Sequence, residues 1–232
     1  MNHLELFSGT HSFGKVSKKY GFNVISLDKN LNGECPFSMY DNSKNHILID
    51  IFNWNYKIYP KGYFKLITAS PVCSWWSHLR NSWIGRKIKA HGETIITNEI
   101  LNEDIEKYGV PMVDKVFEII NYFNPEYFII ENPATGKMKD YISPLIPYYD
   151  IPYCMYGFDY KKTTRFWTNI NLKNKFKKCN HKKHKSALGH KNHGTTLLEK
   201  YRIPYDLIEL FFLSLAGRDL DLTLKRKIPF PN

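Results

Sequence analysis

Cysteine is scarce and scattered in this 232-residue chain: Cys35, Cys73, Cys154 and Cys179 form no Cys-x-x-Cys pair. That spacing excludes a disulfide framework and points to a reducing compartment. Long apolar runs are missing, so no segment is expected to span a bilayer, and no secretory signal is read before the first apolar stretch. The expectation is a soluble, intracellular, cytoplasmic protein, monomeric by default. No internal repeat is visible, which excludes a solenoid. The most informative absence is of acid. Residues 160–198 contain no Asp or Glu, whereas eleven of the chain's 33 Lys and Arg fall there. The remainder holds 22 basic residues against 22 acidic ones, so the formal charge of +11 resides in that one stretch. A concentrated positive block on an otherwise neutral chain suits a polyanion, DNA or RNA. The plainer alternative is a solvated basic loop.

What is present reads as one core with a small appendage. Short apolar runs at 3–7, 23–27, 46–50, 64–69, 126–130, 151–156 and 165–168 are predicted strands. A helix is expected at about 13–20. A second covers about 111–123, where Val113, Val116, Phe117, Ile120 and Phe123 recur at helical spacing. A last helix, at 203–215, has Pro204 in its first turn. Strands alternating with helices predict a doubly wound α/β sheet. Two stretches break the rhythm: 74–108, read as a long polar loop, and the Lys/His-rich 169–198. The 36 aromatics (16 Tyr, 15 Phe, 5 Trp) serve either a core or a base-stacking surface.

In such a fold, ligands sit beyond the carboxyl ends of the strands. There the first strand runs into Phe7-Ser8-Gly9, a small-residue turn that lets a ligand approach the backbone ahead of a helix N-terminus. Asp28 ends the second strand, 28 − 9 = 19 residues after Gly9, close to the spacing of a ribose-binding acid. Asp50 ends the third and is placed to accept from an adenine amino group. An acid at a strand end is more often a helix or turn cap than a ligand contact. The fourth strand ends in Ser70-Pro71-Val72-Cys73 and the fifth in Glu131-Asn132-Pro133. A thiol and an acid on nearby strand ends form a covalent-catalysis pair, although an isolated Cys is also a common small core residue. Downstream, Arg165 precedes an aromatic strand.

The order Phe-Ser-Gly, Asp, Asp, Ser-Pro-x-Cys, Glu-Asn, x-Thr-x-Arg resembles the cytosine-5 DNA methyltransferases, especially their short phage- and virus-type members. The likeness runs from about Leu4 to Trp167 and resumes at Tyr201-Arg202-Ile203-Pro204, which looks like the family's last motif returning to the sheet. It implies a Rossmann-like methyltransferase sheet at 1–168, a small basic target-recognition segment at 169–198, and a returning C-terminal helix within 199–232. A viral member would act in its host cell. By the same resemblance Phe7, Ser8, Gly9, Asp28, Asp50, Ile51 and Pro71 would line an S-adenosylmethionine pocket. Cys73 would add to carbon 6 of cytosine, Glu131 would bond the ring nitrogen and exocyclic amine, and Arg165 would hold the base carbonyl. A stacked base is out of reach, so it must be flipped or single-stranded, with 74–108 as the lid.

This chain departs from the family pattern at four places: His11 for a second glycine, Val72 for a second proline, Pro133 for valine, and Thr163 for the middle arginine. Candidate nucleic-acid contacts are Arg80, Arg86, Lys87, Lys161, Lys162, Lys177, Lys178, Lys182 and Lys183. About thirty residues neutralise phosphates but offer little surface to base edges, so relaxed sequence preference, or specificity from a partner, is expected. Cys179, His181, His184, His190 and His193 are candidate zinc ligands whose spacing matches no standard pattern closely; a His-rich surface strip is the alternative. Two rival readings remain: an amino-group methyltransferase, suggested by Asn132-Pro133, and a decayed methyltransferase kept as a nucleic-acid binder.

Overall fold

The computed structural model describes residues 1–29, 45–172, 175–184 and 201–216. Cys35, His190 and His193 lie outside them. Along the chain run β1 (Asn2–Leu6), α1 (Ser12–Lys19), β2 (Asn23–Asp28), β3 (His46–Leu48) and β4 (Leu66–Ala69), then α2 (Asn98–Asp104) and α3 (Val110–Phe123). They are followed by β5 (Tyr127–Pro133), α4 (Met138–Tyr141), β6 (Tyr148–Pro152), β7 (Thr163–Thr168) and α5 (Tyr205–Ala216). The strands form one sheet in the order β3-β2-β1-β4-β5-β7-β6. Only β7 runs against the rest, pairing antiparallel with β5 and β6. The sheet is the expected doubly wound α/β architecture.

Both faces are covered, which is why the strands read as nearly continuous apolar runs. Successive side chains point to opposite faces. Phe128 and Ile130 join a core with Leu4, Leu6, Ile67 and the buried stripe of α3. Ile129 faces the other core, with Val24, Leu66, Phe166 and residues of α1 and α5. There Tyr20 stacks on Phe212 at 5.3 Å, and the Ile203 N–H donates to Ser12 Oγ at 3.2 Å, closing the C-terminal helix over α1. Asn124 ends α3 in the left-handed conformation at φ 45, a position asparagine tolerates. Because β1 is flanked by β2 and β4, both parallel to it, the chain direction of winding reverses between β1 and β4. That reversal opens a crevice at their carboxyl ends.

Two expectations are corrected. The sixth strand is Tyr148–Pro152, earlier than 151–156, because it pairs with β7 from Tyr148↔Trp167 to Pro152↔Thr163 and then turns into a 3₁₀ segment, Tyr153–Tyr156. The stretch 74–108 is folded, not a structureless loop. It contains 3₁₀ turns at Cys73–Trp76, His78–Trp83 and Lys89–His91, then α2 and a π-turn at Ile105–Gly109 that runs into α3. Trp75 stacks on Tyr108 at 4.6 Å across it. Among the described residues, no helix is long and apolar enough to cross a membrane.

Candidate active site

Three strand ends meet at the crevice. The turn after β1 is held open by backbone in the left-handed region at Phe7 (φ 54), Gly9 (φ 44) and His11 (φ 53). Such conformations in non-glycine residues are costly and cluster at ligand sites. Beneath the turn lies the buried carboxylate of Glu5, which no motif had singled out. It accepts from the Gly14 N–H at 2.9 Å, Ser26 Oγ at 2.9 Å and His11 Nδ1 at 3.3 Å. Burial pushes its pKa up, but the His11 bond, the attraction of His11 and the Gly14 N–H bond help to hold it below the ordinary range. A Cβ at position 14 would lie 2.5 Å from Glu5 Oε2, so Gly14 lets the helix seat against this carboxylate. The turn is thus fixed from below by an ionised group that His11 helps to satisfy.

Of the expected cofactor residues, Phe7, Ser8, Gly9 and Asp28 are brought together. The Gly9 N–H donates to Asp28 Oδ2 at 2.6 Å, and Ser8 Oγ is buried with no hydrogen-bond partner among the described residues. Burial holds the Asp28 carboxyl above its usual pKa, against the Gly9 and Lys29 N–H bonds. Ile51 is buried in the α3-side core. Asp50 behaves as a turn cap: Oδ1 accepts from the Phe52 N–H at 3.0 Å and Oδ2 from Lys29 Nζ at 2.6 Å.

Cys73 begins the turn after β4, half-buried, and Glu131 lies buried on neighbouring β5. Pro71 is joined to β5 rather than merely lining a pocket: Asn132 Nδ2 donates to its carbonyl at 2.9 Å. Burial pushes the Cys73 thiol up, the Glu131 charge adds to this, and Lys162 opposes it. Glu131 is also raised, chiefly by burial, against the Lys162 charge and hydrogen bonds from Ser70 and Tyr153. Tyr153 donates to Glu131 Oε1 at 3.4 Å, and Lys162 Nζ sits 4.8 Å from the Tyr153 ring centroid. The thiol and the acid are therefore electrostatic neighbours, and Lys162 is the cation that faces both. Lys162 had been read only as a phosphate contact. Its signal, a lysine just before a strand paired with β5, becomes readable only with the sheet order.

Arg165 is not brought to this pair. It lies opposite Asn132 and Asp150 in the sheet, and its guanidinium makes a two-pronged ion pair with Asp150, 2.7 Å at each contact. It also covers the Tyr148 ring at 3.8 Å. Arg80, expected on DNA, is buried: it pairs with Asp104, donates to the Trp75 carbonyl at 3.3 Å and lies over the rings of Trp75 and Trp83. His91 Nε2 reaches the same Asp104 at 2.8 Å. Arg80 stitches the 74–108 insertion together and has no exposed charge to offer a phosphate. Arg86, Lys87, Lys161, Lys177, Lys178, Lys182 and Lys183 are exposed, although Lys87 pairs with Glu93 at 3.1 Å.

No family model matches the chain. It is 37% identical over 173 residues to a protein of frog virus 3 (isolate Goorha) named "Probable DNA (cytosine-5)-methyltransferase", a match spanning 73% of this chain and 71% of that one. Among solved structures, the S. pombe Dnmt2 methyltransferase is similar at TM-score 0.42 and 15% identity, over 72% of this chain and 50% of that chain. A mutant DNMT2 of Spodoptera frugiperda is similar at TM-score 0.45 and 15% identity, over 78% and 53%. The chain spans about half the length of these solved relatives.

Proposed function

This chain belongs to the DNA (cytosine-5)-methyltransferase family, and from that membership we propose that it methylates carbon 5 of cytosine in DNA, with Cys73 as nucleophile and S-adenosylmethionine as donor. The observation that carries the reading is the placement of Cys73 and buried Glu131 at adjacent strand ends, where burial and then the Glu131 charge raise the Cys73 pKa and Lys162 lowers the pKa of both.

The residues at the β1 crevice fit the donor. Ser8 offers a buried hydroxyl with no partner among the described residues, and the Phe7–Gly9 turn carries two left-handed residues. Asp28 accepts from the Gly9 and Lys29 N–H groups and retains further acceptor capacity for a ribose. When bound there, S-adenosylmethionine supplies an electrophilic methyl group on a sulfonium. Phe7, Ser8, Gly9 and Asp28 would hold it, with Ile51 as an apolar wall.

The chemistry asked of the chain's own groups follows from their protonation. The reaction asks Glu131 to place a proton on cytosine N3, and burial, which raises its pKa, favours that protonated form. Once protonated, Glu131 no longer repels a charge on Cys73, while Lys162 favours the thiolate. The Cys73 thiol would give up its proton to solvent as its sulfur bonds to carbon 6, the 5,6 double-bond electrons would move to carbon 5, and N3 would take the Glu131 proton. Carbon 5 would then be nucleophilic enough to take a methyl group from the donor's sulfonium, which would leave as the neutral thioether; loss of the carbon 5 proton to solvent would return the electrons that expel the Cys73 thiolate, and N3 would give its proton back to Glu131. The exposed lysines of residues 175–184, with Arg86 and Lys161, would neutralise phosphates and leave sequence preference relaxed. Tritium transfer from labelled donor to cytosine-containing DNA tests the reading: wild type transfers and Cys73→Ser does not. Transfer surviving in C73S would favour amino-group methylation, which needs no thiol.

A further inference from the structure

We propose that Cys154, Cys179, His181 and His184 bind one zinc ion, which fastens the basic segment to the turn beneath Glu131. One donor atom from each residue lies within 4.8 Å of the other three. Cys179 Sγ is 3.7 Å from His181 Nδ1 and 3.4 Å from His184 Nε2, and His184 Nε2 is 3.3 Å from Cys154 Sγ. In a tetrahedral site with Zn–S of about 2.3 Å and Zn–N of about 2.0 Å, the sulfur–nitrogen edges are about 3.5 Å. The three observed separations straddle that value. Two thiols and two imidazoles also make up a closed structural donor set, with no position left for a reacting water.

Hydrogen bonding alone accounts poorly for the arrangement. An imidazole nitrogen carries either one hydrogen or one lone pair, so it serves a single bond. Both sulfurs nevertheless crowd His184 Nε2. A shared metal ion resolves that competition, because all three atoms can point at it together.

The surroundings explain why a metal is needed. Five of the ten residues from 175 to 184 are lysines, and Phe176 is the apolar exception, packed edge-on to Tyr149 at 5.6 Å. That half-buried ring and the Lys177 N–H bond to the Tyr156 hydroxyl, at 3.0 Å, are slender anchors for a segment that repels itself. Cys154, by contrast, sits in the turn Tyr153–Tyr156, whose first residue donates to Glu131. A Cys154–zinc–Cys179 link therefore ties the lysines to the floor of the catalytic pocket. Zinc with two thiolates is neutral, so the positive field offered to a polyanion is undiminished. Sequence spacing hid the set because Cys154 comes 25 residues before Cys179 on a different element; His190, expected as a ligand, lies outside the described residues.

The test is metal content and cobalt spectroscopy on the full chain, neither of which depends on methyl transfer. Reduced protein, saturated with zinc and dialysed against metal-free buffer, is expected to retain about one zinc per chain by mass spectrometry. Cobalt exchanged into the site should give tetrahedral absorption with a thiolate charge-transfer band. Cys154→Ser and Cys179→Ser should each remove roughly half of that band, as expected for two sulfur ligands, while Cys73→Ser leaves it intact. Wild-type protein that retains no zinc and shows an octahedral cobalt spectrum overturns the proposal. So does a charge-transfer band unchanged in both C154S and C179S, or one lost in C73S.

Discussion

Asn132 donates its side-chain amide to the carbonyl oxygen of Pro71 across 2.9 Å, a buried bond that ties the end of β5 to the turn carrying Cys73. Glu131 and Cys73 are thus held in mutual position by the residues beside them. Asn132→Ala leaves the Pro71 carbonyl unsatisfied in the interior, at a cost of about 1–3 kcal/mol in stability. It also frees the turn that carries the proposed nucleophile, so kcat should fall roughly 10- to 100-fold with little change in KM for DNA. Steady-state kinetics beside thermal unfolding separate the two effects. A stability loss with kcat unchanged would show that the bond only supports the fold.

The thiol's acidity gives a second expectation. Burial and then the Glu131 charge raise the Cys73 pKa, and Lys162 lowers it. Alkylation of Cys73 by iodoacetamide, followed by peptide mass spectrometry against pH, should therefore have its midpoint above the ordinary thiol value. Glu131→Gln removes a negative neighbour and moves the midpoint down. Lys162→Met removes a positive one and moves it up. Equal midpoints in all three proteins would contradict the electrostatic coupling.

Acid should weaken the fold through His3. Its ring is fully buried between Ser17 Oγ and Thr68 Oγ1, each at 2.9 Å, and burial, opposed by the Glu5 charge, pushes its pKa down to about 4. The folded state keeps His3 neutral while the unfolded chain protonates near pH 6.5. The contribution is fully present above pH 6.5 and is lost as pH falls towards 4, about 3 kcal/mol in all. Urea unfolding at several pH values in that window should show a shallower acid loss in His3→Gln than in wild type.

Arg80 and the exposed lysines should part company. Arg80→Ala leaves buried Asp104 with His91 as its remaining side-chain partner and should cost about 3 kcal/mol, with no change in the salt dependence of DNA binding. Lys182→Ala with Lys183→Ala should leave stability alone and reduce the slope of log Kd against log salt by about one to two. A reduced slope in R80A would contradict its structural role.

Much of this was legible in the chain itself, and the failures have physical causes. Cys73 and Glu131 could be placed because the apolar runs of β4 and β5 end at those residues, and parallel strands bring their carboxyl ends to one edge. Arg80 was misread because its partner, Asp104, arrives 24 residues later, on α2. Within a polar stretch, a buried guanidinium and a solvent-facing one look alike until the partner is known. Arg165 carried the family's pattern, but the cross-strand neighbour Asp150 takes its guanidinium, a pairing fixed by the β6–β7 register and not by sequence proximity. Lys162 was read only as a phosphate contact, and Glu5 and Cys154 went unnoticed, for the same reason: each acquires its role from a neighbouring strand or segment.

The account depends most on a sulfur–carbon bond formed with the target base. DNA carrying 5-fluorocytosine, incubated with the protein and S-adenosylmethionine, should yield a denaturation-resistant adduct, because fluorine at carbon 5 blocks release of the thiol. Peptide mass spectrometry should locate that adduct on Cys73, and C73S should form none. Methyl transfer to ordinary cytosine with no adduct on the fluorinated base, or an adduct on a different residue, would contradict it.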